Sequence, residues 1–142
     1  MSIEQPKPER FPVPGRKHLV IFADDDPEIL LALERALRHE PYDLLMTTEP
    51  EKALHWIRTR RVSAVIADYR MPGMTGAALL ERSQAISPQI ARILLTAYSG
   101  EADVLRASEA GAVTLFAKPW DDRELKQAIR NRLSEREILE VP

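Results

Sequence analysis

A chain of 142 residues with a formal net charge of -2 and no cysteine has the length of one domain with a core of its own. The absence of cysteine excludes disulfides and thiolate metal sites, the near-neutral balance offers no basic surface for nucleic acid, and no apolar run approaches a membrane span. These properties predict a soluble, cytoplasmic protein without direct nucleic-acid or membrane contact.

The first residues, 1–17, are polar and carry Pro6, Pro8, Pro12 and Pro14. They lack the apolar segment of a secretion signal and are expected to form a flexible, partly extended leader. A short apolar run over 18–23 predicts the first strand, and it ends in Asp24, Asp25 and Asp26. A helix is expected over 27–39, with Asp26 as its cap, Pro27 at its first position and Glu28 facing the positive end of its dipole. Ile29, Leu30, Leu33, Ala36 and Leu37 make its apolar stripe, and Pro41 stops it.

A strand over 42–46 and a helix over 50–60 follow, with Trp56 packed alongside Ala53 and Ile57, and with Arg58, Arg60 and Arg61 at the helix end favoured by the dipole. The strand predicted over 63–67 ends in Asp68, followed by the turn-rich stretch Tyr69-Arg70-Met71-Pro72-Gly73-Met74-Thr75-Gly76. Helix 76–86 leads to a strand over 91–95, which ends in Thr96. A helix over 101–110 closes at Gly111, and a strand over 113–117 ends in Lys118 and Pro119. The last helix, over 121–137, has Asp121 and Glu124 in capping-box spacing and Leu125, Ala128, Ile129 and Leu133 on its buried face. Residues 134–142 read as an extension of that helix or a linker, leaving 18–133 as the folded domain. His18, His39 and His55 are not at ligand spacing and are expected at the surface.

The first and third strands are almost wholly apolar, as strands covered by helices on both faces are. Five strand–helix units in this length predict an α/β protein with a doubly wound, five-stranded parallel sheet and five helices. The flavodoxin-like order 2-1-3-4-5 is adopted as one of the common orders of such sheets. In that order the first and third strands are neighbours, and functional groups gather at the carboxyl ends of the strands. The residues there are Asp24, Asp25, Asp68, Thr96 and Lys118. Clustered carboxylates repel one another unless a cation joins them, and hard oxygen ligands suit Mg²⁺. A carboxylate beside Mg²⁺ and a lysine can attack phosphorus and hold the phosphoryl group as an acyl phosphate.

Asp24-Asp25, Asp68 with the stretch after it, Thr96-Ala97 and Lys118-Pro119, in this order across five units, resemble the receiver domain of two-component response regulators. The resemblance runs from about residue 18 to 133. It implies that Asp68 accepts a phosphoryl group from a sensor histidine kinase or a small phosphodonor. Asp25 and Asp68 would bind Mg²⁺ directly, Asp24 through water, and the backbone carbonyl of Arg70 would complete the protein ligands. Lys118 would pair with Asp68, and the Lys118–Pro119 peptide would be cis. Thr96 would couple the phosphoryl group to the face of the fourth strand, fourth helix and fifth strand, and so to an output domain in cis, a docking protein or a homodimer partner. Such a domain catalyses its own aspartyl phosphorylation and dephosphorylation without being a stand-alone enzyme.

Two features depart from the family pattern or vary within it. Leu115 stands where the family usually has an aromatic switch residue, and the neighbouring Phe116 is expected on the opposite face. Arg70 and Tyr98 occupy positions that flank the path of attacking water in the family, and both are large. Two other functions compete. A Mg²⁺-dependent phosphohydrolase would use Asp24 and Asp26 as nucleophile and acid/base. A nucleotide-binding module would need a Gly-rich loop after the first strand, which is absent.

Overall fold

The computed structural model describes residues 18–97 and 113–140, with side chains described through 135. The apolar runs become strands β1 (Leu19–Ala23), β2 (Asp43–Thr47), β3 (Ala64–Asp68), β4 (Ala91–Thr96) and β5 (Val113–Ala117). The described helices are α1 (Pro27–Leu37), α2 (Pro50–Thr59), α3 (Gly76–Ile86) and α4 (Asp122–Glu140). The helix expected over 101–110, Gly111, Tyr98 and the leader over 1–17 lie outside the described residues.

All five strands pair in parallel in one sheet, in the expected order β2-β1-β3-β4-β5. Every residue of β1 to β4 is buried, which explains their predominantly apolar character. Side-chain alternation divides the core into two layers. Ile21, Leu45, Val65, Ala67 and Leu94 pack with Trp56, Leu79 and Leu80 on the α2–α3 side. Val20, Phe22, Leu44, Ile66, Ile93 and Leu95 pack with Leu30, Leu33, Leu125 and Ile129 on the α1–α4 side. Each fully buried Leu or Ile contributes about 1.5–3 kcal/mol to such a core. Leu115 packs against the first layer and Phe116 against the second, so the two point to opposite faces as expected.

Asp26 caps α1 by accepting from the Glu28 N–H at 2.9 Å. This helix ends at Leu37 rather than at 39. Glu40, the residue before Pro41, is disfavoured in helical conformation, and it is buried with its carboxylate held by Arg130 of α4 at 2.9 and 2.6 Å. Just before α4, Asp121 accepts from the N–H groups of Arg123 and Glu124 at 2.8 and 3.1 Å. The helix continues unbroken past position 133 to Glu140, through residues with good helix propensity.

His18 corrects an expectation. It is buried rather than at the surface, with its Nδ1 2.8 Å from Ser63 Oγ and its carbonyl accepting from Asp43 N–H at 3.0 Å. Its place at the entry to the central strand β1, between β2 and β3, encloses the ring. His39 and His55 are exposed, as expected.

Candidate functional site

The register of the central strands builds the site. Ala23 of β1 lies opposite Ala67 of β3, so Asp24 and Asp68 emerge side by side at the same edge of the sheet. On the other flank Asp68 is opposite Leu95, and Thr96 is opposite Ala117, the residue before Lys118. The Lys118 N–H donates to the Thr96 carbonyl at 3.0 Å, which continues the β4–β5 ladder into the loop. The Lys118–Pro119 peptide is cis, as expected.

Lys118 reaches across this edge. Its ammonium lies 2.7 Å from Asp68 Oδ1 and 3.1 Å from Asp24 Oδ2. Asp24 is anchored further by accepting from the Asp26 N–H at 2.9 Å. Asp24 and Asp68 are buried and Asp25 is exposed, yet each offers an oxygen and the three oxygens lie within 4.8 Å of one another. Burial pushes the Asp24 carboxyl up to about 6, against the lowering influence of the Asp26 N–H and of Lys118. Burial acts to lower the Lys118 ammonium, but the Asp68 hydrogen bond and the charge of Asp24 outweigh it and the net shift is upward.

Three carboxylates against one ammonium leave an excess of two negative charges in the cluster. Burial is the main cause of the raised Asp24 carboxyl, and the Asp26 N–H and Lys118 offset it only in part. An all-oxygen donor set of this charge, open on the Asp25 side, fits a hard divalent cation such as Mg²⁺.

The loop after β3 is held tightly. Gly76 N–H donates to the Tyr69 carbonyl at 2.8 Å, and a Cβ on Gly76 would run into the Asp68 carbonyl oxygen and lie 2.9 Å from Leu94 Cδ1. Gly73 sits at φ +82, a conformation that glycine tolerates best. Thr75 caps α3 by accepting from the Ala78 N–H at 3.1 Å. The sequence reading included Gly76 in the stretch after Asp68 without giving it a role. Its signal was a glycine at the first position of a helix, where no glycine is required. Thr96 is buried at the end of β4, and Arg70 is exposed with its guanidinium 6.0 Å from the centre of the Tyr69 ring. Asp26, which a phosphohydrolase would need as acid/base, is engaged as the α1 cap.

Residues 20–130 match the family model described as the response regulator receiver domain. The chain belongs to this family. Receiver domains are signalling domains rather than dedicated enzymes. Sporulation initiation phosphotransferase F of Bacillus subtilis (strain 168) is 34% identical over 115 residues, covering 80% of this chain and 92% of that protein. Transcriptional regulatory protein GlrR of Escherichia coli (strain K12) is 32% identical over 118 residues, covering 83% of this chain but only 26% of that protein. The receiver thus spans about a quarter of the length of such transcriptional regulators.

The fold of this receiver domain is shared with solved structures. The signal receiver domain of an HD domain-containing protein from Pseudomonas fluorescens Pf-5 superposes with a TM-score of 0.80 at 31% identity, covering 88% of this chain and 93% of that one. A CheY-like response regulator receiver domain protein from Methanospirillum hungatei JF-1 gives 0.79 at 27% identity, covering 84% and 96%. Among the described residues of the receiver, no helix is long and apolar enough to cross a membrane.

Proposed function

We propose that this receiver takes a phosphoryl group on Asp68 from a sensor histidine kinase or a small phosphodonor. The observation that carries this reading is the placement of the Lys118 ammonium against Asp68 and Asp24, at 2.7 and 3.1 Å, beside a converging third carboxylate. An Asp68 carboxylate oxygen attacks phosphorus, the new O–P bond forms, and the donor's bond to phosphorus breaks with its electron pair leaving on the donor. Lys118 donates to the transferring oxygens as negative charge gathers there.

Asp24, Asp25, Asp68 and the backbone carbonyl of Arg70 would hold Mg²⁺. When bound, the ion neutralises charge on the cluster and on the phosphoryl oxygens. Thr96 then hydrogen-bonds a phosphoryl oxygen. Its position at the end of β4, next to the start of the β5–α4 loop, supports transmission to the face of β4 and β5. That face signals to an output domain in cis, to a docking protein or to a second copy. The receiver unit spans 18–133, with 134–142 as an extension toward such an output, and the protein works in the cytoplasm. The same residues catalyse the domain's own phosphorylation and dephosphorylation.

Incubation with acetyl phosphate and Mg²⁺ followed by intact-mass measurement tests this. The expected result is a gain of one phosphoryl group that disappears in Asp68→Asn. No gain in the wild-type chain, or a gain that survives the substitution, overturns the assignment.

A further inference from the structure

Helix α4 is held to the sheet by an apolar stripe and by two arginines. Leu125, Ile129 and Leu133 bury the stripe in the α1–α4 core layer. Such burial is non-directional, so it keeps the helix down without fixing its roll. The directional contacts come from Arg130 and Arg132, which flank the stripe because two positions on a helix stand about 200° apart. Arg130 grips the buried Glu40 carboxylate at 2.9 and 2.6 Å, three residues before the edge strand β2. Arg132 Nη1–H donates to Thr114 Oγ1 at 2.8 Å, on the opposite edge strand β5. Beyond Leu133 the helix runs on to Glu140, about 10 Å further, and Ser134 and Glu135 are exposed. The two attachments are not alike. The residues of β5 are half-buried or exposed, where those of β1 to β4 are buried, and among the described residues β5 pairs with β4 alone. The strand that carries Thr114 also leads directly into Lys118, whose ammonium engages Asp68 and Asp24. Arg132 has a second acceptor on the helix itself, with its Nε 3.5 Å from Glu135 Oε2.

We infer that the Thr114–Arg132 hydrogen bond is a release catch between the acidic cluster and the free end of α4, with Glu40–Arg130 as the fixed pivot. The inference rests on the proposed function and extends it from the β4–β5 face to the helix that runs past the core. A phosphoryl group on Asp68 moves negative charge from the carboxylate to the phosphoryl oxygens beyond it. Lys118 follows that charge, and the loosely held β5 shifts with it. Thr114 then withdraws from Arg132, the guanidinium turns to Glu135, and the last turns of α4 loosen about the Arg130 pivot. Arg132 is thus a positioning residue that never touches the phosphoryl group.

The experiment is amide hydrogen exchange, read by mass spectrometry on the 142-residue chain, before and after treatment with acetyl phosphate and Mg²⁺. Wild type, Thr114→Val, Thr114→Ser and Arg132→Gln are compared, and intact mass reads the phosphoryl occupancy of each. In the wild type, phosphorylation should speed exchange over 134–140 by about threefold to tenfold. Thr114→Val should exchange at the fast rate beforehand and gain nothing on phosphorylation, while Thr114→Ser, which keeps the hydroxyl, should behave as wild type. A merely structural contact would speed exchange in both states and leave the phosphorylation-dependent factor in place. Arg132→Gln should match Thr114→Val, and it decides the matter if the strand substitution does not fold. A wild-type factor retained in either variant overturns the catch, as does unchanged exchange in fully phosphorylated wild type, and both leave the phosphoacceptor reading intact. If the wild type gains no phosphoryl mass, the phosphoacceptor reading itself falls, and the catch with it.

Discussion

The Lys118 ammonium stands 2.7 Å from Asp68 Oδ1, an ion pair formed by the carboxyl-terminal ends of two strands that are not neighbours in the sheet. The pair is four-fifths shielded on the lysine side and nearly nine-tenths on the aspartate side, with side-chain exposures of 20% and 11%. Replacing Lys118 by Met leaves two carboxylates facing each other without a cation. The expected loss of stability at pH 7 in metal-free buffer is about 2 kcal/mol, below the range for fully buried pairs because part of the side chain meets solvent. The folded-state ammonium is held above its ordinary range, so this contribution is present throughout neutral pH and lost only as pH rises through the raised value. Urea titration reads the stability. Phosphorylation by acetyl phosphate should slow roughly tenfold or more, and a rate equal to wild type contradicts the proposed role.

Asp24 sets a pH dependence of opposite sense to that of an ordinary ion-paired carboxylate. Its folded-state carboxyl is pushed up to about 6 from an ordinary 3.8, with burial the main cause. Between these values the folded chain holds a proton that the unfolded chain has released. Stability therefore falls as pH rises through this window, and the loss is complete above about 6. The full shift corresponds to roughly 3 kcal/mol. In chelator-containing buffer, Asp24→Asn should match wild type near pH 4 and exceed it in stability at pH 7. Equal slopes of stability against pH in the two proteins count against the assignment.

Gly76 ties the first turn of α3 to the backbone of Asp68. An alanine there must push its Cβ into the Asp68 carbonyl oxygen, and backbone cannot yield as a flexible side chain can. Gly76→Ala is expected to cost about 1–3 kcal/mol and to displace Asp68, lowering phosphorylation more than the stability loss explains. Thermal unfolding and the acetyl phosphate reaction measured on one preparation separate the two effects. Unchanged melting and phosphorylation contradict the close contact.

Trp56 is buried in the α2–α3 core layer, whereas Trp120 is half-buried at a groove that Lys118 also lines. Adding Mg²⁺ or a phosphoryl mimic should therefore change tryptophan emission through Trp120, and Trp120→Phe should abolish the change. A response that survives the substitution points to Trp56 and removes this placement.

Arg70 is exposed two positions after Asp68, with its guanidinium leaning over the Tyr69 ring. Its bulk at that position is expected to hinder water from reaching a phosphoryl group on Asp68. Decay of the phosphorylated chain, followed by intact mass, should be several-fold faster in Arg70→Ala, on the order of a 1 kcal/mol change in barrier. The same half-life in both proteins sinks the shielding role.

Strand positions were legible because burial on both faces demands unbroken apolar runs, and β1 and β3 have them. The ends of the predicted strands gave Asp24, Asp68, Thr96 and Lys118 without any knowledge of contacts. The cap at Asp26 was legible too, since capping depends on a side chain and an N–H two positions away. Local patterns of this kind carry their cause within a few residues. The surroundings of His18 were not legible, since its partner Ser63 lies just before a neighbouring strand, 45 positions on. The Glu40–Arg130 clamp, 90 positions apart, was equally invisible, as was the demand that Asp68 makes on Gly76.

The amino-acid order by itself determined the α/β alternation, the two-sided burial of the sheet and the set of groups at the strand ends, because periodicity and strand termini are local properties of the chain. Only the tertiary structure decided that Ala23 lies opposite Ala67, and so that Asp24 and Asp68 share one ammonium. Strand register and the reach of a long side chain are set by packing between distant segments. From these followed the excess charge of the cluster, the raised carboxyl of Asp24 and the groove beside Lys118.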